Sequence, residues 1–383
     1  MTRVVLAGGG TAGHTSPMIA TAQALLRADP AISVTCVGTP RGLETTVVPA
    51  AGLELRLVPP VPLPRRPGMD LARLPWRLTR ATGQARRLLR EVGADVVVGF
   101  GGYASMPVYL GAWRSHVPVV VHEQNAIPGI ANKVATRFAK AVLTSFPNTP
   151  LPHARYVGLP LRESMATLAR EGRAAHRLDA RASYGLRADQ PVLLVSGGSQ
   201  GARSLNEAVM GARDQLLGAG VQILHVWGPK NFTDDLAAST DPSTGARYVP
   251  LRFVDAMEQA YAAADLMLAR SGAVTVTETA TVGLPALFVP LPHGNGEQAR
   301  NAAALVRAGA AEVIADAALT SAELVTRVLG LVGDAGELTR RGRQAQQLMR
   351  PGADDRVAAV VLRTAGRPDL AARIDREDAD AAA

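Results

Sequence analysis

Short runs of apolar, often β-branched residues alternate along the chain with longer stretches rich in Ala, Leu and Arg. This alternation is typical of parallel α/β units, in which buried strands are joined by helices. The pattern restarts in the second half, so it predicts two similar α/β domains. The predicted strands cover residues 4–7, 33–37, 95–98, 117–121 and 141–143, and then 192–195, 222–226, 247–250, 266–268 and 286–290.

Each half opens with a strand that runs into a glycine-rich turn and then a predicted helix. Such turns let backbone N–H groups approach phosphate closely at the start of a helix. Glycine also serves sharp turns that need a positive φ without any ligand, so both interpretations stay open. The turns read Gly8-Gly9-Gly10-Thr11-Ala12-Gly13-His14 and Gly197-Gly198-Ser199-Gln200-Gly201-Ala202-Arg203, with a third, Gly99-Phe100-Gly101-Gly102-Tyr103, in the first half.

Breaks in the pattern divide the chain into domains. Gly158, with a proline two positions later, interrupts any regular element, which predicts a first domain over residues 1–161 and a second over 162–350. A Pro-Gly pair then precedes another helical stretch at about 351–370. The remaining residues, 371–383, are acidic and rich in Ala, and we expect a frayed tail there.

Composition excludes several classes of protein. With 47% hydrophobic and 19% charged residues over 383 positions, the chain is neither disordered nor collagen-like. Unbroken apolar runs stay shorter than the roughly 18 residues of a membrane-spanning helix, and the N-terminal run is too short for a signal peptide. The single cysteine, Cys36, cannot form an intramolecular disulfide, which favours a reducing, cytosolic compartment.

The net charge of +8 predicts an anionic partner: nucleic acid, an acidic membrane surface or a phosphorylated ligand. Residues 65–90 hold eight arginines and one acid, whereas the rest of the chain has 33 basic and 32 acidic residues. The basic excess is therefore local. No Tyr or Phe interleaves with these arginines, which argues against nucleic acid. Taken by itself, the segment is most simply an amphipathic helix with its arginines in water.

The first glycine turn also has the form G-x-G-x-x-G, so a dinucleotide-binding oxidoreductase has to be considered. Such a site needs an acidic residue near the end of the second strand to bind ribose hydroxyls. The strand at 33–37 is followed by Gly-Thr-Pro, and the nearest acid, Glu44, lies beyond Arg41. NAD binding is therefore the weaker hypothesis. A P-loop is excluded, because none of the three lysines follows a glycine.

Six motifs, taken in order, resemble the MurG family of bacterial peptidoglycan glycosyltransferases along nearly the whole chain. They are Gly9-Gly10-Thr11-Ala12-Gly13-His14, Gly99-Phe100-Gly101-Gly102-Tyr103, His122-Glu123-Gln124-Asn125, Gly197-Gly198-Ser199-Gln200-Gly201-Ala202-Arg203, Arg270-Ser271-Gly272-Ala273 and Gly296-Glu297-Gln298. The resemblance implies an α/β GT-B fold, with two Rossmann-like domains, an active site in the cleft between them, and a C-terminal helix that packs back on the first domain.

The reaction implied by this resemblance moves N-acetylglucosamine from UDP-N-acetylglucosamine to the C4 hydroxyl of the muramyl sugar of lipid I. It inverts the anomeric centre and gives lipid II and UDP. No cofactor is implied, and no metal is expected, because no Asp-x-Asp lies near the sites. Two alternatives of the same architecture stay open: a glycosyltransferase with another lipid or natural-product acceptor, and a UDP-sugar epimerase.

The resemblance also implies roles for individual residues. His14 is the candidate catalytic base or acceptor-binding group, since an imidazole can take up a hydroxyl proton near neutral pH. Tyr103 is a candidate acceptor contact, and Glu297 stands where many family members carry Gln, so its contact stays open. The residues implied to contact UDP-N-acetylglucosamine are Thr11, Ala12, Gly13, Asn125, Arg162, Ser199, Val254, Ala273, Val274, Thr275, Glu278 and Gln298.

Three of these assignments depend on local structure. Ser199 is expected to open the helix after the second-half turn, where it would hold the diphosphate or cap the helix. Residues 273–282 alternate apolar residues with threonines, which by period predicts a strand, whereas the family implies a helix with Ser271 as N-cap and Gly283 after its end. Arg162 is singled out only by a local match to the family, in which Leu159 replaces the usual Asn.

A lipid-linked acceptor favours membrane contact for residues 65–90. Basic residues beside exposed apolar ones bind anionic membranes, each charge contributing about 1 kcal/mol. We therefore expect a peripheral protein at the cytoplasmic side of the cell membrane, with no nucleic-acid partner and with cell-wall or division proteins as further partners. The residues expected at the membrane are Arg73, Leu74, Trp76, Arg77 and Arg80, with Trp113 and Lys140 nearby.

Overall fold

A computed structural model describes residues 1–62, 69–199 and 201–382. The chain forms two compact units, one from residues 1–162 with 352–383 and the other from 163–351. Arg65, Arg66 and Gln200 lie outside the described residues. Among the helices within the described ranges, none is both long and apolar enough to cross a membrane.

The first unit is built from alternating strands and helices. Its strands are β1 (Arg3–Ala7), β2 (Ser33–Gly38), β3 (Glu54–Leu57), β4 (Val96–Gly99), β5 (Val119–Glu123), β6 (Ala141–Thr144) and β7 (Ala154–Tyr156). The helices between them are α1 (Ala12–Ala28), α2 (Glu44–Ala50), α3 (Met69–Val92), α4 (Ser105–Arg114) and α5 (Ile130–Ala135).

The second unit repeats this alternation after two helices separated by Gly172, α6 (Glu163–Glu171) and α7 (Arg173–Ser183). Its strands are β8 (Val192–Ser196), β9 (Gln222–Val226), β10 (Ser239–Thr240), β11 (Arg247–Leu251), β12 (Leu266–Ala269), β13 (Ala286–Phe288) and β14 (Ala311–Val313). Its further helices are α8 (Arg203–Gly218), α9 (Met257–Ala263), α10 (Ala273–Thr281), α11 (Glu297–Arg307), α12 (Ser321–Val332) and α13 (Ala335–Gln347), with a short 3₁₀ turn at Asp316–Ala318.

Two helices at the end of the chain, α14 (Ala353–Thr364) and α15 (Pro368–Ala382), complete the first unit. α14 packs on α1, and its residues Val357 and Val361 are fully buried in the same core as Leu6 of β1. The expected frayed tail over 371–383 is wrong for its first part, because Ala371 and Ile374 are 0% and 4% exposed in this core. The acidic composition obscured two apolar positions on one helical face.

Both sheets are doubly wound. In the first unit the strand order is β3-β2-β1-β4-β5-β6-β7, with all neighbours parallel, and it reverses between β1 and β4. In the second unit the order is β10-β11-β9-β8-β12-β13-β14, and it reverses between β8 and β12. Only the pair β10–β11 among these described strands is antiparallel. Ligands of such sheets bind at the carboxyl edge near the reversal, which is where the glycine-rich turns lie in each unit.

The predicted α/β class and paired Rossmann-like units are confirmed. All ten strands predicted from the apolar runs are present, and none of their ends is shifted by more than two residues. The strands that were not predicted, β3, β7, β10 and β14, are short and lie toward the sheet margins. Their exposed faces carry polar residues, so they lack the continuous apolar run of a buried parallel strand.

Candidate functional site

Two glycine-rich turns meet in the first unit, one after β1 and the other after β4. Ala7 and Gly99, the last residues of these strands, are register partners. Gly102 has a φ of +81°, and a Cβ there would lie 2.5 Å from the carbonyl oxygen of Gly9. Only glycine therefore allows the turns to pack this closely. The imidazole of His14 lies against Gly101 and Gly102.

Hydrogen bonds fix the tautomer of His14. Its Nδ1 lies 2.7 Å from the carbonyl oxygen of Phe100 and 3.1 Å from Oε1 of Gln124. Both oxygens can only accept a hydrogen bond, so in the neutral ring Nδ1 carries the proton and Nε2 carries the lone pair. His14 is half-buried at the start of α1, and Nε2 is the ring nitrogen able to accept a proton.

A buried carboxylate fills the space beneath the first turn. Glu44 is fully buried, and its carboxylate accepts hydrogen bonds from the backbone N–H of Gly10 (2.8 Å) and of Thr39 (2.7 Å) and from the Thr39 hydroxyl (2.9 Å). A Cβ at Gly9 or Gly38 would collide with this side chain. The Glu44 carboxylate thus occupies the Gly10 N–H, which in a dinucleotide-binding turn would bind phosphate. This is a further argument against NAD binding.

A second buried carboxylate shapes the loop after β5. Glu123 accepts from the backbone N–H of Asn125 (2.9 Å), the N–H of Gly129 (3.0 Å) and the amide side chain of Asn132 (2.8 Å). Asn132 in turn accepts from the hydroxyl of buried Tyr109 at 2.7 Å, and burial raises the pKa of Tyr109. Asn125 is therefore held on an ordered loop.

The other predicted residues of the first unit lie around these turns. Thr11 is the N-cap of α1, and Ala12 and Gly13 form the first helical turn. Tyr103 follows the second glycine turn and is 53% exposed, so its ring is open to a ligand. Arg162 is the last residue of the N-terminal segment of this unit.

In the second unit, the glycine turn after β8 is tightly packed. Gly201 has a φ of +72°, and a Cβ there would lie 2.5 Å from the carbonyl oxygen of Trp227. α8 begins at Arg203 with Ala202 as its N-cap, so the expectation that Ser199 opens the helix is wrong. Ser199 therefore lies in the loop before the helix, separated from its start by the positive-φ Gly201 and the N-cap Ala202.

The adjacent turn, after β12, leads into the helix α10. The helix implied by the family is therefore confirmed, and the strand predicted from the alternating pattern is wrong. The N-cap is Gly272 and not Ser271, whose buried hydroxyl has no hydrogen-bond partner among the described residues. Gly283 follows the helix with a φ of +67°, as expected. Ala273, Val274 and Thr275 form the first turn, and their free amide groups lie at the carboxyl edge of the sheet.

Glu278 lies further along α10 and is 4% exposed. Its Oε2 accepts a hydrogen bond from the hydroxyl of Tyr261 at 3.0 Å. Tyr261 was not singled out from the sequence, because a tyrosine in a helix carries no chemical signal of its own. The contact orients the carboxylate.

An ionic cluster ties the two turns of this unit together. Arg270 donates to Asp316 (2.6 Å), to the Ser204 hydroxyl (2.9 Å) and to the carbonyl of Val289 (3.1 Å). Burial acts to raise the pKa of Asp316, but the hydrogen bonds from Ser204 and Arg270 and the positive charge of Arg270 outweigh it and leave the pKa lowered. The cluster fixes the start of α8 against the end of β12.

The remaining predicted residues also follow carboxyl ends of strands. Val254 lies in the loop between β11 and α9 and is half-buried. Glu297 is the first residue of α11, where it exchanges hydrogen bonds with Asn295, and Gln298 accepts from the backbone N–H of Leu291 at 3.0 Å. Both side chains shape the loop after β13. In the described ranges, no three His, Cys, Asp or Glu side chains come together in a way that could hold a metal ion.

The arginine-rich helix α3 has two different halves. Its C-terminal half packs against α4 through buried residues such as Ala85 and Leu89. In the N-terminal half, Met69 and Trp76 are 66% and 65% exposed, and the guanidinium of Arg80 lies 5.7 Å from the Trp76 ring centroid. Arg73 is also exposed, while Leu74 and Arg77 are half-buried.

A pocket of about 830 Å³ lies at the end of α4. Trp113, 55% exposed, stacks on Phe138 with ring centroids 5.8 Å apart. Arg114, Lys140 and Arg363 also line the pocket. Aromatic and cationic side chains are thus exposed together here.

Comparison with known proteins assigns both halves of the chain. Residues 4–144 match the N-terminal domain of glycosyltransferase family 28, and residues 192–357 match its C-terminal domain. A relative from Cutibacterium acnes is named UDP-N-acetylglucosamine--N-acetylmuramyl-(pentapeptide) pyrophosphoryl-undecaprenol N-acetylglucosamine transferase. It is 55% identical over 95% of this chain and 98% of its own length. A relative of that name from a Nocardioides species is 53% identical over 94% and 97%.

Solved structures agree with these matches. A crystal structure of MurG from Acinetobacter baumannii has a TM-score of 0.73 and 30% identity, covering 95% of this chain and all of that one. A UDP-N-acetylglucosamine 2-epimerase from Neisseria meningitidis has a TM-score of 0.65 at 11% identity, covering 95% and 100%. The second similarity is one of fold alone.

Proposed function

The chain belongs to glycosyltransferase family 28, and we propose that it transfers N-acetylglucosamine from UDP-N-acetylglucosamine to the C4 hydroxyl of the muramyl sugar of lipid I. The products are lipid II and UDP, a step of peptidoglycan synthesis. The observation that carries the proposal is the identity of 50–55% to relatives named for this transfer, over 94–95% of this chain. The enzyme is therefore a hexosyltransferase.

In the proposed reaction the C4 oxygen of the acceptor attacks the anomeric carbon of the donor sugar. The bond from that carbon to the β-phosphate oxygen breaks with inversion, UDP leaves with the bonding electron pair, and the C4 hydroxyl proton passes to a base. We assign this base to Nε2 of His14, because the two acceptors at Nδ1 leave Nε2 with the lone pair. Tyr103, exposed on the neighbouring turn, is assigned to the acceptor.

Most of the donor contacts are assigned to the second unit. UDP leaves with additional negative charge, and the N-termini of α8 and α10 offer free amides and positive helix-dipole ends without a metal ion. We propose that Ser199 and the backbone of 273–275 bind the diphosphate and sugar. The further proposed contacts are the backbone of Val254 to uracil, Glu278 to ribose, Gln298 and Asn125 to the sugar, and Thr11, Ala12, Gly13 and Arg162 elsewhere on the donor.

Transfer is tested by incubating the protein with UDP-N-acetylglucosamine labelled in the sugar and a lipid I analogue. We expect the label in the lipid product. Glu278→Ala is expected to lower kcat/KM for the donor roughly 30-fold, because hydrogen bonds to a carboxylate contribute about 2 kcal/mol. The change should appear mainly in the KM for UDP-N-acetylglucosamine.

Tyr261→Phe is the matched control, because it removes one hydrogen bond to the Glu278 carboxylate and leaves the carboxylate in place. Its donor KM is expected to stay within about threefold of wild type. Label in an isomerised nucleotide sugar would instead identify an epimerase, and label in a different lipid would identify another acceptor. A normal donor KM in Glu278→Ala would remove Glu278 from the donor site.

We further propose that the first unit binds the cytoplasmic face of the cell membrane as a peripheral protein. The exposed rings of Trp76 and Trp113 lie among cationic side chains, a combination suited to the interface of an anionic bilayer. The local excess of arginine over acid in residues 65–90 supports the same contact. Association with cell-wall or division proteins stays a prediction.

The double variant Arg73→Gln/Arg80→Gln tests membrane binding. Each arginine near an anionic surface contributes about 1 kcal/mol, so affinity for phosphatidylglycerol vesicles should fall roughly 30-fold at low salt. Added salt should reduce this difference, because it screens the charges. Arg307→Gln/Arg343→Gln removes the same charge from exposed positions of the second unit and should bind as wild type. Equal affinity of both double variants would contradict the proposal.

A further inference from the structure

A chain of three side chains leads from the interior of the first unit to His14. His122 is fully buried on β5, and its Nε2 lies 3.0 Å from the carbonyl oxygen of Gly158. That oxygen can only accept, so Nε2 of His122 carries a proton. Burial lowers the pKa of His122 to about 4, and the ring is therefore neutral at physiological pH with its lone pair on Nδ1.

The lone pair of His122 determines which way the next side chain faces. The amide nitrogen of Gln124 lies 3.1 Å from Nδ1 of His122 and 2.9 Å from the His122 carbonyl oxygen. Both partners are acceptors, so both N–H groups of Gln124 are used. Its oxygen, Oε1, then faces Nδ1 of His14 at 3.1 Å. Gln124 is itself fully buried, so reversing its amide would leave buried groups without partners.

We propose that Gln124 is a positioning residue for the transfer reaction. The hydrogen bonds from Gly158 through His122 fix the orientation of the Gln124 amide, so its oxygen faces His14. Together with the carbonyl of Phe100, this oxygen keeps Nδ1 of His14 protonated and leaves Nε2 to accept the substrate proton. The role of Gln124 in catalysis rests on the proposed function. Its structural content, the tautomer of His14, can be measured without any substrate.

The groups in direct contact with the His14 ring are uncharged. The ring packs on Gly101 and Gly102, and the α1 residues beside it are uncharged. The titratable groups on the neighbouring elements are His122, Glu123, Glu44 and Tyr103. Glu123 and Glu44 are engaged by backbone amides, as described above.

Two substitutions separate positioning from simple structural support. Gln124→Met keeps the length of the side chain but removes both hydrogen-bond directions, and we expect kcat to fall 10-fold to 100-fold with an unchanged KM for UDP-N-acetylglucosamine. Gln124→Glu keeps an acceptor for Nδ1–H and adds a negative charge that stabilises the imidazolium. The base then becomes available only at higher pH, so the acid limb of the kcat/KM profile should move up by about one pH unit.

Gln222→Met is the matched control, since Gln222 is another fully buried glutamine whose oxygen and nitrogen both bond to the backbone of Arg187, in the second unit. It should lower thermal stability about as much as Gln124→Met while leaving kcat and the pH profile unchanged. If Gln124→Met only destabilises the protein, or if Gln124→Glu leaves the acid limb in place, Gln124 has no positioning role.

A direct measurement uses long-range ¹H–¹⁵N correlation spectra of the full chain labelled at its seven histidines, with His14→Gln to assign the signal. We expect neutral His14 to be protonated at Nδ1 in the wild type. Protonation at Nε2 would overturn the inference even if lipid transfer is normal. Conversely, failure of lipid transfer with the expected tautomer would count against the proposed function and not against this geometry.

Discussion

Replacing His14 with alanine is expected to lower kcat for transfer by roughly 10²–10⁴-fold, the range of a lost general base. The structure gives the physical reason: two obligate acceptors at Nδ1 direct the lone pair to Nε2. Because the side chain is assigned to the proton of the acceptor hydroxyl, the KM for UDP-N-acetylglucosamine should change little. Steady-state kinetics with varied donor at saturating acceptor measure both constants.

The control for this variant is His176→Ala, which removes a histidine whose side chain is 45% exposed and paired with Glu171 in the second unit. Its kinetics should match the wild type. Should His14→Ala retain more than about a tenth of the wild-type kcat, general-base catalysis by this residue is ruled out. A large rise in the acceptor KM with a normal kcat would instead assign His14 to acceptor binding.

Replacing Glu44 with alanine is expected to lower the free energy of unfolding by about 3 kcal/mol or more. The substitution leaves the backbone N–H groups of Gly10 and Thr39 and the Thr39 hydroxyl without their acceptor, and each buried donor left unsatisfied costs about 1–3 kcal/mol. Urea denaturation measures the loss. Glu54→Ala, which removes an exposed carboxylate from the adjacent strand β3, should change stability by less than about 1 kcal/mol.

The same variant has a second expected property. Loss of the Glu44 carboxylate opens an anion-sized space beside the amide of Gly10, so inorganic phosphate should raise the Tm of Glu44→Ala more than that of the wild type. An equal response of both proteins to phosphate, or an unchanged free energy of unfolding, would show that the carboxylate does not act as the built-in anion of this turn.

The fold followed closely from the sequence where burial leaves a clear pattern. Central strands such as β1 and β8 are covered on both faces, which makes them short continuous apolar runs flanked by glycine turns. Marginal strands such as β3 carry exposed polar residues and give no such run. In α10 the pattern is clear but misleading. Its valines and threonines alternate with the period of a strand, yet the segment is a helix that begins after Gly272 and ends before Gly283.

Only those residues of the candidate site that belong to recognisable motifs could be predicted from the sequence. The glycine turns and His14 stand out because few residue types can serve there. Glu44 bonds to Gly10, 34 positions away, and Tyr261 bonds to Glu278, 17 positions away. The local sequence around Glu44 and Tyr261 does not indicate these contacts. The serines Ser199 and Ser271 were expected at helix starts because serine is a common N-cap, but a glycine-dependent turn and Gly272 moved each helix start further along the chain.

The path of the chain through the two units bears on how the protein assembles during synthesis. The second unit is continuous, so all of its residues are translated before those of α14 and α15. The first unit lacks Val357, Val361 and Ile374 until that moment, and the apolar surface of α1 that they cover stays open to water. The unit whose translation begins first is therefore completed last, and until then its incomplete core exposes apolar surface that can aggregate.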